Sequence, residues 1–259
     1  MRTNPTTLKF HTKGYIPLLL VVLIFSIKSS LFAQNQSAST IQSEINNAKI
    51  LANELYFQRP SENYSASGSF IVRFQDGRRT NIDVTITVSV ENNSCAWRYD
   101  IHDGFKTRLL VISDQDKNIN VWTYSIASNT FTRIEPKNWY QPFAGTDFWI
   151  FDLMYPALPC YQWPEQKIVK HEMRKGRSCR VLASINPHPG DEGYSKVLSW
   201  IDTETKGLIR AEAYDSNGQM IKEFNLSKVI KKDGYWQVKQ LDIVNKKKKS
   251  KTTLLFNFD

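Results

Sequence analysis

The chain of 259 residues holds few of the residues that break or crosslink a fold. It contains 11 glycines, 10 prolines and three cysteines. So little glycine and proline excludes a low-complexity or generally disordered chain. The length and the 41% share of hydrophobic residues suit one large domain, or two small ones, with a sizeable core.

The three cysteines are Cys95, Cys160 and Cys179, and none belongs to a CxxC motif that would indicate a redox or zinc site. Three cysteines cannot all pair within one chain. We therefore expect buried free thiols, with a Cys160–Cys179 disulfide as the alternative.

A long apolar run is also lacking. The longest candidate, residues 16–27, has twelve residues, whereas a membrane-spanning helix needs roughly 20. Basic residues precede this run, and small residues ending in Ala33 follow it, which is the pattern of a secretory signal peptide. We predict a signal peptide over 1–33, cleaved near Ala33, and a mature periplasmic domain over 34–259. An uncleaved membrane anchor is the alternative.

The formal charge of +9 is distributed unevenly. Four of the 34 cations lie in residues 1–33, which contain no acidic residue, and five more form one run near the C-terminus. The remaining 25 cations equal the 25 acidic residues, so we expect no nucleic-acid-binding face spread over the fold and no nucleic-acid partner. The run consists of Lys246, Lys247, Lys248, Lys249 and Lys251. It forms either a solvated turn or a contact for anionic lipid headgroups, where each cation adds about 1 kcal/mol.

One amphipathic helix is predicted near the start of the mature chain. Residues 39–42 fit a capping box. Apolar residues then recur at helical spacing, at Ile41, Ile45, Ala48, Leu51, Ala52 and Leu55. This periodicity predicts a helix over 40–57, which ends before Pro60.

The period of the pattern changes to two from Tyr64 onward. In residues 81–91 the apolar side chains Ile82, Val84, Ile86, Val88 and Val90 alternate with polar ones, which predicts a strand with one buried face. Turn dipeptides such as 76–77, 217–218 and 233–234 separate similar runs. Thirteen runs, some of them expected to fuse, predict an antiparallel meander in one domain.

Residues 136–165 interrupt the strands with an aromatic-rich segment. Thr146 or Asp147 can cap a short helix over 148–153. The segment either plugs one end of the sheet or covers a cavity. A sheet of this size tends to curl toward closure, so an apolar cavity for a hydrophobic guest and a fully packed core are both open interpretations.

Patterns of catalytic chemistry are lacking too. His102, His171 and His188 are far apart, and no GxSxG, P-loop or dinucleotide motif occurs. We interpret residues 188–193 as a loop between strands. Asp147 and Asp152 lie five residues apart, which suits capping or buried hydrogen bonds better than paired acid–base catalysis. The sequence predicts no enzyme, no cofactor and no metal site.

Several segments, in this order along the chain, resemble the LolA-like family of outer-membrane lipoprotein-sorting proteins. They are 143–148, 152–153, 176–182, 200–202, 207–215, 218 with 222, 233–236 and 252–254. The resemblance implies a mainly β (α+β) fold: a half-open antiparallel β-barrel of about 10–12 strands, with the N-terminal helix and a short lid helix on its concave side. The family-signature positions are Gly145, Asp147, Phe148 and Asp152.

The resemblance also implies a function. The expected role is a monomeric carrier or binder of lipoproteins or lipid acyl chains, with an inner-membrane release complex and an outer-membrane acceptor as partners. An envelope sensor or protein-interaction domain of the same fold is the alternative. The candidate cavity residues are Leu51, Leu55, Ile82, Val84, Ile86, Val88, Phe148, Trp149 and Phe151.

Overall fold

The structure is a computed structural model and describes residues 42–102, 107–125, 128–154, 157–190, 193–232 and 235–257. The chain divides into two units, Met1–Ser43 and Glu44–Asp259. The predicted signal peptide and most of the capping box lie outside the described residues. Helix α1 covers the described residues 42–56, in agreement with the predicted helix apart from its outer residues.

Thirteen strands form one sheet, in which every neighbouring pair is antiparallel. They are β1 (Tyr64–Arg73), β2 (Arg79–Val90), β3 (Ser94–Ile101), β4 (Arg108–Asp114), β5 (Ile119–Ser125), β6 (Thr130–Arg133), β7 (Glu165–Arg174), β8 (Arg177–Ile185), β9 (Lys196–Asp202), β10 (Leu208–Tyr214), β11 (Met220–Lys232), β12 (Tyr235–Asn245) and β13 (Ser250–Asn257). Each of the thirteen predicted runs forms its own strand, so the number exceeds the 10–12 expected from fusion of some runs.

The sheet is an open meander in which the first and last strands of the chain, β1 and β13, pair near its centre. The strand order runs β6-β5-β4-β3-β2-β1-β13-β12-β11-β10-β9-β8-β7. The edge strands β6 and β7 are consecutive in the chain, and no described pairing joins them. The residues between them therefore connect one edge of the half-open barrel to the other. We call residues 136–163 the lid segment.

The alternation in β2 is confirmed. Val84, Ile86 and Val88 are buried, Ile82 is partly buried, and the polar residues between them face outward. Val90, at the end of the strand, is partly buried like Ile82. At the hairpin turns, Gly77 and Gly218 have φ values of 86° and 73°, which L-residues seldom adopt. The predicted 233–234 turn lies outside the described residues.

Two apolar clusters fill the concave face. In the helix-side core, Leu51 and Leu55 of α1 pack against β8–β11 together with the lid residues Phe151, Leu158 and Tyr161. In the lid-side core, five other lid residues cover β1–β5, β12 and β13; they are Phe143, Phe148, Ile150, Leu153 and Met154. Burying a side chain of this size contributes about 1.5–3 kcal/mol. The concave face is thus covered by two separate pieces of chain, and the helix does not cover the whole sheet.

The cysteine prediction is confirmed, since Cys95, Cys160 and Cys179 are all buried free thiols. Within the described part of the chain, no helix has the length and apolar character required to cross a membrane.

Candidate functional site beneath the lid segment

The structure divides the candidate cavity residues between the two cores. Ile82, Val84, Ile86 and Phe148 belong to or pack against the lid-side core. Leu51, Leu55, Trp149 and Phe151 belong to or pack against the helix-side core, and Val88 is buried on the same face of β2 as Val84. The lid segment itself occupies the space above the β2 face, where a cavity was the open alternative.

A cleft of about 530 Å³ lies beside the lid segment, where its first turn meets the β8–β9 loop. Rings and prolines supply most of its wall. The described residues that line it are Pro136, Lys137, Trp139, Tyr140, Phe151, Pro159, Trp163, His188, Pro189, Gly190 and Gly193. Phe151 is the candidate cavity residue that reaches this cleft, and it joins the cleft wall to the helix-side core.

Asp147 fastens the first part of the lid segment to β13. Its carboxylate accepts hydrogen bonds from the Ser250 and Thr252 hydroxyls at 2.6 and 2.9 Å, and its backbone N–H donates to Thr252 Oγ1 at 2.9 Å. Asp147 and Thr252 are buried. Asp147 therefore does not cap the short helix, as one alternative predicted, but makes the buried hydrogen bonds that the other predicted.

Asp152 fastens the next part of the lid segment to β11. It lies in the 3-10 helix Ile150–Met154, and its Oδ2 accepts from Lys222 Nζ at 2.9 Å and from the Trp149 backbone N–H at 2.8 Å. Tyr194 Oη donates to Oδ1 at 2.8 Å. The Asp152 and Lys222 side chains are each 1% exposed, so this is an ion pair fully removed from water.

Aromatic rings enclose the ammonium group of Lys222. Its Nζ lies 3.6 Å from the centre of the Trp149 ring and 5.7 Å from that of Tyr194, distances at which a ring face attracts a cation. Trp149 stacks on Tyr194 with centroids 4.8 Å apart, and Tyr140 contacts both rings edge-on. Tyr140 and Phe151 stack in turn and face the cleft. A continuous set of four rings thus separates the cleft from the ion pair.

Burial dominates the electrostatics of this group. It lowers the pKa of Lys222 to about 8, although the Asp152 carboxylate opposes the change. Burial and the neighbouring Asp152 carboxylate raise the pKa of Tyr194 well above its ordinary value, so the phenol stays protonated and donates. Removal of one partner of such a pair leaves an uncompensated buried charge, which costs about 3–5 kcal/mol.

Tyr99 Oη of β3 also donates to the Leu153 carbonyl of the lid segment at 2.7 Å, and further contacts of the segment are local. Thr146 Oγ1 donates to the Phe143 carbonyl at 2.8 Å and accepts from the Phe148 N–H at 3.1 Å. Gly145 has a φ of +72°, and nothing within 4 Å would meet a side chain there. Its signature role is therefore conformational, since it allows the turn that brings Asp147 to β13.

Four residues of the lysine run, 246–249, form the turn between β12 and β13, and Lys251 lies in β13. Lys246, Lys247 and Lys251 make ion pairs with Glu223, Asp215 and Asp242 at 3.2, 2.9 and 2.9 Å. Among the described residues, no carboxylate lies within ion-pair distance of Lys248 or Lys249. Three of the five cations are therefore already matched by carboxylates of the sheet.

The histidines do not form a site. His102 bonds Thr85 at an exposed position, and no group of three His, Cys, Asp or Glu side chains in the described ranges could hold a metal ion. The 186–195 connection between β8 and β9 is a loop, as predicted, although residues 191–192 lie outside the described part.

Sequence reasoning missed the partners of the two aspartates. For Ser250 and Thr252 the sequence does carry information, because residues two apart on a strand share one face and can bind the same group. Lys222 appeared only as a position in the family resemblance. A β-bulge at the β10–β11 pairing places both Ile221 and Lys222 in buried positions, so the alternation of β11 does not reveal an inward lysine.

A family model whose description reads "uncharacterized protein" matches residues 102–258. No curated protein gives a significant sequence match. Two solved structures have a TM-score of 0.69. A DUF1329 family protein from Desulfovibrio piger is 18% identical, and the match covers 83% of this chain and 91% of that chain. An outer membrane lipoprotein-sorting protein domain from Vibrio parahaemolyticus is 19% identical, and the match covers 83% of this chain and 92% of that chain. A LolA superfamily protein from Nitrosomonas europaea has a TM-score of 0.58 at 13% identity, with 83% and 92% covered. The fold is therefore LolA-like, as the sequence resemblance implied.

Proposed function

The chain belongs to the family whose model matches residues 102–258, and on the premise of its LolA-like fold we propose that it is a periplasmic carrier that binds the acyl chains of lipoproteins or lipids without covalent chemistry. The observation that carries this proposal is that two separate pieces of chain, α1 and the lid segment, cover the concave face of the sheet. A sheet whose inner face is covered by separate pieces of chain can exchange one piece for an apolar guest.

The lid segment is the piece that we propose to move. Its Phe148, Leu153 and Met154 cover the inner face of the first strands, and an acyl chain would replace these contacts with its own methylene groups. Each buried methylene contributes about 0.8 kcal/mol, so a long chain can offset the loss of several lid side chains. The predicted cavity residues Ile82, Val84, Ile86, Val88, Leu51 and Leu55 would then line the bound chain, and Phe148, Trp149 and Phe151 would move with the lid segment.

The cleft is the proposed entrance. It is already open at about 530 Å³, and its wall includes Phe151, which also belongs to the helix-side core. A chain that enters there would first contact the aromatic rings and would then displace them from the concave face.

The relative from Vibrio parahaemolyticus is named as an outer membrane lipoprotein-sorting domain, which supports a place in the same process. We propose export by cleavage of residues 1–33, and transfer between an inner-membrane release complex and an outer-membrane acceptor. The mass of the exported chain tests the cleavage, with Gln34 as the expected first residue.

The binding experiment uses a synthetic triacylated lipopeptide and the same peptide without acyl chains. A locked variant, Asp147→Cys/Thr252→Cys, tests whether the lid segment must move. The Thr252 hydroxyl lies 2.9 Å from both the Asp147 backbone nitrogen and its carboxylate, so the two side chains are neighbours across the lid segment and β13. We expect wild type to bind the acylated peptide only. The oxidised variant should not bind it, and reduction should restore binding in the same sample.

Equal binding of both peptides, or binding by the oxidised variant equal to that by its reduced form, would contradict the proposal. Native mass spectrometry of protein purified from the periplasm provides a second measurement, in which we expect co-purified lipid. A stable protein partner without any bound lipid would favour the sensor alternative.

A further inference from the structure

We propose that Lys222 is the anchor for an anionic headgroup, so that the ligand class is an amphiphile with one long apolar chain and a carboxylate or phosphate beside it. This inference rests on the proposed function, because it requires the lid segment to leave the concave face. It adds a polar specificity determinant to a site otherwise made of apolar side chains.

The first observation is which element carries the negative charge. Lys222 lies on β11, within the sheet. The carboxylates that act on it are Asp152, at 2.9 Å, and Asp147 at longer range. Both aspartates lie on the lid segment. The other charged group that influences Lys222 is the cation Lys248, so among the described residues displacement of the lid segment removes every carboxylate that compensates this ammonium group.

The second observation is the surrounding of Lys222. It is 1% exposed, and it contacts the rings of Trp149 and Tyr194. Trp149 would leave with the lid segment, whereas Tyr194 lies just before β9 and would remain with the sheet. A bound apolar chain would keep water away from the ammonium group. A buried cation without a counter-charge is unfavourable, and an anionic group on the ligand can take the place of the Asp152 carboxylate. The Tyr194 hydroxyl, which now donates to Asp152 Oδ1, can donate to the same anion.

The third observation is the path between the cleft and Lys222. Lys137 and His188 are among the described residues that line the cleft. Tyr140 and Phe151 line the cleft as well, and their ring contacts lead through Tyr194 and Trp149 to Lys222. The path from the cleft to the proposed anchor is therefore aromatic along its length, with Lys137 beside its entrance and Lys222 at its end.

The experiment compares three probes with one chain length: hexadecanoate, hexadecyl phosphate and hexadecanol, titrated at pH 7 and followed by tryptophan fluorescence. We expect wild type to bind one or both anionic probes at least about tenfold more tightly than the alcohol, since tenfold corresponds to about 1.4 kcal/mol. The two anionic probes distinguish a carboxylate from a phosphate ligand.

Two variants and a control assign the preference to Lys222. The single substitution Lys222→Met leaves Asp152 without its partner and can impair folding. The double variant Asp152→Asn/Lys222→Met removes both charges and keeps an amide that can accept the Trp149 N–H. It should bind hexadecanol as well as wild type does and lose the preference for the anions. The control Lys228→Met removes an exposed cation from the same strand and should keep the preference.

The outcomes separate this inference from the proposed function. If all three probes bind wild type equally, or if the double variant keeps the anion preference, Lys222 is not the anchor, while acyl-chain binding stands. If no probe and no acylated peptide binds, the proposed function fails and the inference fails with it.

Discussion

Helix α1 and the lid segment both cover the concave face, but different forces hold them. The helix contributes apolar side chains such as Leu51 and Leu55, and its Tyr56 Oη donates to the Lys117 carbonyl at 2.9 Å. The lid segment adds two buried carboxylates, Asp147 and Asp152, each with several partners on the sheet or beside it. Apolar contacts are non-directional, whereas buried polar groups require particular partners. Buried apolar area thus holds both pieces, and the lid segment is held in addition by buried polar partners.

The difference suggests which piece moves. A segment fixed by exchangeable polar partners can leave when a ligand supplies equivalent groups, because the partners left on the sheet are then satisfied again. A segment that is fixed by buried apolar surface leaves only when the ligand covers an equal apolar area of the sheet. We therefore expect α1 to stay while the lid segment opens.

The largest effect is expected at the ion pair. Asp152→Asn leaves the buried Lys222 without a counter-charge and should lower the free energy of unfolding by about 3–5 kcal/mol. The double variant Asp152→Asn/Lys222→Met should lie within about 1 kcal/mol of wild type, since no isolated charge remains. Urea denaturation measures both. A double variant as unstable as the sum of the two single variants would show that the pair is not coupled.

The next effect is expected in the helix. Leu51→Ala removes a fully buried side chain from the helix-side core and should cost about 2–5 kcal/mol in the same assay. Ile50 is 56% exposed on the same helix, and Ile50→Ala should change the free energy by less than about 0.5 kcal/mol. Equal losses for the two variants would indicate that α1 does not depend on its packing against the sheet.

A smaller effect is expected at β13. Thr252→Val keeps the shape of the side chain but removes the hydroxyl that bonds the Asp147 carboxylate and backbone N–H. Loss of this buried partner should cost about 1–3 kcal/mol. Amide exchange of Asp147 should rise, while exchange in α1 stays constant. A loss of protection in α1 that matches the loss at Asp147 would contradict independent attachment of the two pieces.

The pH dependence follows from Tyr194, whose pKa is raised by burial and then by Asp152. The folded state keeps the phenol proton above pH 10, where the unfolded chain loses it. This contribution to stability is complete below about pH 10 and falls as the pH rises, by about 1.4 kcal/mol per pH unit. Tyr194→Phe should therefore flatten the alkaline stability curve. An unchanged slope in that variant would show that Tyr194 titrates normally.

The smallest effect is expected in the lysine run. Lys247 is 60% exposed although it pairs with Asp215 at 2.9 Å, and Lys247→Gln should cost less than about 1 kcal/mol. If the run also contacts membranes, as the sequence allows, Lys248→Gln/Lys249→Gln should weaken binding to phosphatidylglycerol vesicles more than Lys247→Gln. Equal binding by all variants would leave the run as a solvated turn.

The sequence predicts the local structure well and the site only in part. Alternation in β2 and periodicity in α1 reflect which face of each element is buried. Such patterns depend only on residues close together in the sequence. The pairing of Asp152 with Lys222 joins positions 70 residues apart, and a bulge hides the inward direction of the lysine. The choice between a cavity and a packed core also depended on where the lid segment lies, which no local pattern encodes.

The most direct test is hydrogen–deuterium exchange with and without saturating hexadecyl phosphate. The Asp147 amide reports attachment of the lid segment to the sheet, since its N–H donates to Thr252 Oγ1 of β13 at 2.9 Å. We predict faster exchange at this amide when the ligand is bound, with α1 unchanged. Unchanged or slower exchange in the lid segment at full occupancy, or acceleration confined to α1, would contradict the account.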